Sequence, residues 1–198
     1  MTTPKLISHT FDKSAEAWHT YDYHWSMVAK RENIFILATH QKAGGVNGGG
    51  YIWTDESRWS TDSPEEPVSI LALLNYSSWL GHDNLDLRNA VVSVYLRGDG
   101  LALDNAKCYF WAHVSGTRWH YTSHPLSISH GRWADNPNVF ALSPDKAKWH
   151  NSWARDPARA TPLESTLAKC ESFGFSFVGF KSEPTGKFSM DEFALQLR

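Results

Sequence analysis

Cysteine is scarce, and its scarcity removes several architectures at once. Cys108 and Cys170 are the only two in 198 residues, and neither belongs to a Cys-x-x-Cys pair. A disulfide framework, a zinc ribbon and a thioredoxin-type redox centre are therefore excluded. Cys108 falls on the apolar phase of a strand-like run, the position of a buried free thiol. A surplus of one charge is also missing. With 19 basic and 21 acidic residues the formal charge is −2, without the basic footprint that duplex nucleic acid selects. No apolar run approaches the ~20 residues that span a bilayer as a helix. Met1 to Asp12 has neither the basic flank nor the apolar core of a secretory signal. The sequence thus predicts no nucleic-acid or membrane partner, and a cytoplasmic protein unless a leader has been removed.

What is abundant is rings. Ten Trp, seven Tyr and ten His exceed what a core of this size needs, and aromatic and imidazole groups commonly line ligand sites.

Short strand-like segments bounded by Gly, Pro, Asn or Asp dominate the chain, the spacing of an antiparallel β-sandwich. The pattern predicts strands over Lys5 to Phe11, Ile34 to His40, Tyr51 to Thr54, Ser69 to Tyr76, Val91 to Arg97, Lys107 to Ser115, Thr117 to Thr122, Phe173 to Phe180 and Phe188 to Leu197. Two short helices are predicted late. Ser143-Pro144 opens one to about Ala154, and Thr161-Pro162, with Glu164 three residues after the cap, opens another to about Cys170. Gly44 to Gly50 contains five glycines and predicts a mobile loop. A phosphate cradle is the sharper alternative, but no Walker Lys-Ser/Thr follows. The length suits one domain, residues 1 to 198.

Period two carries the chemistry. In Val91 to Arg97 it separates Val92, Val94 and Leu96 from Ser93, Tyr95 and Arg97. In Lys107 to Val114 it separates Cys108, Phe110, Ala112 and Val114 from Lys107, Tyr109, Trp111 and His113. The short connection predicts an antiparallel hairpin that brings Tyr95, Arg97, Tyr109, Trp111 and His113 onto one wet surface. Such a surface suits a sugar, whose C–H face stacks on an indole while its hydroxyls need donors and acceptors at fixed angles. Arg97 adds a fork for a carboxylate or sulfate. The opposing reading buries Trp111 and Tyr109 under a loop and ties Arg97 to Asp99.

Arg58, beside Trp53, Asp55 and Trp59, and His120, beside Arg118 and Thr122, are further ligand-binding candidates. His120 and His124 lack the helical context of a zinc pair. His19, Tyr21, Tyr23 and His24 read as a solvated loop. Arg97-Gly98-Asp99 reads as a turn, and Asn75-Tyr76-Ser77 is a glycosylation sequon that matters only outside the cytoplasm.

The two ends resemble carbohydrate-binding modules of the galactose-binding-like jelly-roll type. The carriers are LISHTFD at residues 6 to 12 followed by Trp18, and FGFSFVGFKSEPTGKFSMDEFALQL at residues 173 to 197. The resemblance implies a jelly roll closed by pairing of the first and last strands. It also implies a structural calcium as cofactor, with Asp12 and Asp191 as metal ligands completed by backbone oxygens.

Three functions compete. The first is lectin-like binding of an oligosaccharide by the aromatic and basic face. The second is an enzyme in the same groove, such as a polysaccharide lyase, with Arg97 neutralising a uronate and Tyr109 or His113 moving the proton. The third is an intracellular protein-interaction module. Hydrolysis lacks a motif, since neither a nucleophile elbow nor a paired-carboxylate site can be singled out.

Overall fold

The computed structural model describes residues 5–22, 34–61 and 69–198. Two seven-stranded sheets face each other. Sheet I runs β10 (Ser129–His130), β7 (Val91–Ala102), β14 (Thr185–Leu197), β5 (Tyr51–Asp55) and β4 (Thr39–Gln41). β1 (Lys5–His9) joins β14, and β11 (Asn138–Ala141) joins β7. Sheet II runs β12 (His150–Ala154), β9 (Thr117–His120), β8 (Lys107–Val114), β13 (Ser172–Val178), β6 (Ser69–Tyr76), β2 (Trp18–Tyr21) and β3 (Phe35–Leu37). Every pairing among these strands is antiparallel except β10 with β7. This is the predicted sandwich, and β1 lies along β14 from Lys5↔Leu197 to His9↔Phe193, closing the ends as expected.

Alternation builds the core between the sheets. Phe173, Phe175 and Phe177 of β13 and Phe188, Met190, Phe193 and Leu195 of β14 are all at most 1% exposed. Trp18 stands among them, with its ring centroid 5.0 Å from that of Phe193 and 6.0 Å from that of Phe175. Its indole N–H donates to His9 Nδ1 at 2.5 Å, which satisfies a buried polar group that would otherwise be costly. Both cysteines are buried free thiols, and burial pushes Cys170 up to about 12.

Several expectations fail for stated reasons. The helix predicted from Ser143 is a 3₁₀ turn, Lys146–Lys148, capped by the Asp145 side chain and followed by β12. Residues 150–154 pair with β9 instead, so tertiary pairing overrides the local cap signal. The second helix is real, α1 (Leu163–Ala168). The Arg97-Gly98-Asp99 triplet lies inside β7 and is no turn. Asn75 is fully buried, and its amide donates to the Glu16 and Ala17 carbonyls, so the folded chain hides this sequon.

The predicted β7–β8 hairpin is absent. β7 pairs with β14, β10 and β11, whereas β8 pairs with β13 and β9 in the opposite sheet. Gly98 and Gly100 accommodate a bulge in β7, which stays paired with β14 as far as Ala102, so the crossing to sheet II falls in residues 103–106. A Cβ on Gly98 would press within 2.7 Å of Leu101 Cβ, and Gly100 has φ +62°. The hairpin partner of β8 is β9, joined through Ser115 and Gly116, both at positive φ as a type I′ turn demands. Among the described residues no helix is long and apolar enough to cross a membrane.

Candidate functional site

Because β7 and β8 lie in different sheets, the predicted five-residue surface is split by the core. Tyr95 and Arg97 project from the outer face of sheet I, and Tyr109, Trp111 and His113 from the outer face of sheet II. No small ligand touches both sets. The lyase arrangement of Arg97 with Tyr109 or His113 is overturned by the same separation.

On sheet I the rings already have partners. The Arg97 guanidinium carbon sits 4.8 Å from the Tyr51 ring centroid and 4.5 Å from that of Trp133, while its Nη2 pairs with Asp99 at 3.0 Å. The Arg97 side chain is 12% exposed, so the opposing reading of this residue is the observed one. Trp53 is flanked by Lys187 at 4.3 Å and by Arg58 at 5.2 Å, and Arg58 Nη1 donates to the Leu37 carbonyl at 3.3 Å. These are cation–π pairs internal to the protein.

Sheet II is different. Trp111 is sealed at 2% exposure in a small second core with Leu71 and Leu74, its indole nitrogen without a hydrogen-bond partner among the described residues. Beside it a file of rings crosses the strands. Trp153 lies 6.3 Å from His113, His113 lies 6.5 Å from Tyr76, and Tyr76 lies 4.7 Å from Trp79 on the 3₁₀ turn Ser77–Leu80. Trp79 in turn meets His19 at 4.8 Å and Phe35 at 5.2 Å. These ring-to-ring steps limit the file from Trp153 to Phe35 to about 23 Å end to end. Trp79 is 46% exposed, the one tryptophan so open among the described residues, and Leu37 beside it on β3 is 54% exposed.

Sequence reasoning missed His19, Phe35, Tyr76, Trp79 and Trp153. The available signal was alternation in Trp18–Tyr21, where Trp18 and Thr20 are buried and His19 and Tyr21 face outward. That stretch is strand β2 and not the expected loop; Tyr23 and His24 lie outside the described residues.

Polar groups on this face are braced from below. Ser172 Oγ and His113 Nδ1 are 3.2 Å apart, and Glu171 Oε2 approaches the same nitrogen at 4.0 Å. A hydrolytic triad needs serine and acid on opposite ring nitrogens, so this is a structural contact. Burial, helped by Arg118 and Arg155, lowers His113 to about 4 and keeps it neutral. His120 is 1% exposed, hydrogen-bonded through Nε2 to Ser176 Oγ, and burial with the charges of Arg118 and His150 holds its pKa well below the ordinary value. Toward the β8–β9 end the face opens into a groove of ≈ 480 Å³, lined by Lys107, Tyr109, His120, Thr122 and His150 among others.

A third locus joins the two ends of the chain. The glycine loop between β4 and β5 is cross-braced by Gly45 N–H to the Gly49 carbonyl at 2.9 Å and by Val46 N–H to Asp191 Oδ2 at 2.7 Å. It faces carboxylates, which repel phosphate, so the cradle alternative fails. A Cβ on Gly45 would lie 2.5 Å from Asp191 Oδ2, 2.6 Å from the Gly50 carbonyl and 3.0 Å from that of Gly49; one on Gly49 would collide with Asp12 Oδ1. Asp191 is 2% exposed, and among the described residues no Lys, Arg or His pairs with it. Burial, with Glu192 and Asp12 nearby, raises it to about 6. No three acidic, histidine or cysteine side chains gather as a metal-ligating group among the described residues. The carboxylates of Asp12 and Asp191 and the glycine carbonyls at this loop are hard oxygen donors, the type calcium prefers.

No protein-family model matches the sequence, and no curated protein matches it. Solved structures do match in shape. The family 11 carbohydrate-binding module from Clostridium thermocellum, in complex with a β-1,3-1,4-mixed-linked tetrasaccharide, superposes with a TM-score of 0.52 at 10% identity, over 97% of this chain and 94% of that one. An exo-β-agarase gives a TM-score of 0.53 at 11% identity over 98% of this chain. The CBM22-1–GH10 xylanase 10B of C. thermocellum, complexed with xylohexaose, gives 0.49 at 10% identity over 97% of this chain. The chain spans 25% and 28% of these two larger proteins. The fold is the jelly-roll sandwich of carbohydrate-binding modules.

Proposed function

We propose that this chain is a non-catalytic module that binds an oligosaccharide across the outer face of sheet II, with a structural calcium held at the glycine loop. The observation that carries the reading is the file of rings from Trp153 to Trp79 and His19, partly exposed and most open at Trp79, which the core between the sheets does not require. A large open aromatic patch on a folded protein is uncommon without a ligand. Sugar rings offer flat C–H faces to such rings, and His19 and the Tyr76 hydroxyl supply hydrogen bonds at its edge. A platform of this length suits a chain of sugars better than one ring. The structural likeness to the family 11 module solved with a bound tetrasaccharide supports the same reading. Calcium would be held by Asp12, Asp191 and neighbouring glycine carbonyls, where it would neutralise buried carboxylates and fix the chain ends to the loop.

Calorimetry against a panel of neutral oligosaccharides tests the binding site. Trp79→Ala is expected to weaken binding at least about tenfold, the loss of one stacking partner, with little change in melting temperature. Arg97→Ala on the other sheet should leave affinity intact. Absence of any binder, or a Trp79→Ala protein that binds as tightly as the parent, would remove this reading.

A further inference from the structure

The groove at the β8–β9 end of sheet II lies on the same face as the ring file but is chemically unlike it. Its rim carries Lys107 and His150, its wall Tyr109, Thr122 and Asn105, and its floor His120. None of its lining residues is acidic. Among the described residues neither Lys107 nor His150 forms an ion pair with a carboxylate. Beneath them His120 is sealed, and among the described residues its Nδ1 has no hydrogen-bond partner. Lys107 brings a positive charge to a groove whose lining holds no carboxylate to neutralise it, and an incoming anion is drawn to that charge. A neutral hydroxyl needs no such arrangement, because side-chain amides and hydroxyls serve it equally well.

We infer that this groove receives an anionic substituent, a carboxylate or a sulfate ester, of the glycan that lies on the ring file; the inference rests on the proposed reading of that file. Lys107 supplies a charge-assisted N–H donor, and the His150 ring with the Tyr109 and Thr122 hydroxyls completes the shell. Tyr109 and His113 are four residues apart on one face of β8, about 13 Å at ~3.3 Å per residue, so groove and file lie within reach of one oligosaccharide. The module would then favour uronate-bearing or sulfated polysaccharides over neutral ones.

The test is nuclear magnetic resonance on the isotopically labelled full chain, with galacturonate, galactose 6-sulfate and unmodified galactose as separate probes, and neutral oligosaccharides read at the Trp79 indole. Either anionic probe should shift the Lys107, Tyr109 and His150 signals where galactose does not, and Lys107→Ala should weaken that response about tenfold. Raising salt to about 1 M, where the Debye length falls to about 3 Å, should erode it. Response to galacturonate alone marks a uronate site, and response to the sulfate alone a sulfate site. Silence to both anions, or equal shifts with galactose, overturns the inference while leaving the Trp79 result standing. A silent Trp79 with a responsive groove instead removes the ring-file reading and with it the glycan, leaving an anion site of a different kind.

Discussion

The two outer faces of this sandwich have nearly the same ingredients and opposite dispositions. Sheet I displays Tyr51, Trp53 and Trp133, but each ring is covered by a cation of the protein itself, Arg97, Arg58 or Lys187. Sheet II displays Tyr76, Trp79 and Trp153, and these meet mainly other rings and remain partly open. An aromatic residue therefore becomes a candidate ligand platform through what covers it. Counting rings cannot separate the two faces.

The largest expected effect falls within sheet II itself, between its sealed and its open tryptophan. Trp111→Ala empties the small core with Leu71 and Leu74 and should cost about 3–5 kcal/mol in chemical denaturation. If Trp111→Ala leaves stability unchanged, the division of this face into a sealed and an open part fails.

Next comes acid. His113 is held near 4 and His120 well below its ordinary value, and His9, inside the sandwich, is also lowered to about 4. A base whose folded pKa is depressed stays neutral when the unfolded chain takes up a proton. The stability it contributes is complete above about 6.5 and is lost as pH falls toward 4, up to about 3 kcal/mol for a group such as His113. The melting temperature should fall on acidification from neutral pH, and one that rises would break the argument.

Asp191, on the central strand of sheet I, works in the other direction. Its folded pKa is raised from 3.8 to about 6, so without a cation the penalty grows as pH rises through that window. In metal-free buffer Asp191→Asn should stabilise the protein at neutral pH by roughly 1–2 kcal/mol, after discounting for solvent. Calcium should raise the melting temperature of the parent and leave that of Asp191→Asn unmoved. Equal calcium responses in the two proteins would remove the ion from this loop.

Much of the fold was legible. β6 occupies the predicted Ser69 to Tyr76, and the alternation of β7 and β8 sorts core from outer face, except that Trp111, expected on the wet side, is sealed. What alternation cannot do is assign a strand to a sheet. Lys107–Val114 reads the same whether it pairs with β7 or crosses to the other sheet, and the connection that carries it across, residues 103–106, is as short as a hairpin loop. The ring file was hidden for a related reason. His19, Tyr76, His113 and Trp153 are far apart in sequence and become neighbours only once β2, β6, β8 and β12 take their places in sheet II. The convergence of Asp12 and Asp191 on the glycine loop came from resemblance at the chain ends, where the pairing of β1 with β14 fixes both positions at once.

β14 sits at the centre of sheet I and bonds to β7 on one side and to β5 and β1 on the other, although it is the last strand of the sequence. Three segments spread along the chain thus await a single late arrival. Such non-local closure makes for a slow folding step, since loop entropy must be lost before any of these contacts forms. During synthesis β1, β5 and β7 leave the ribosome without their common partner, and their exposed backbone edges at that stage are where misassembly of this chain would begin.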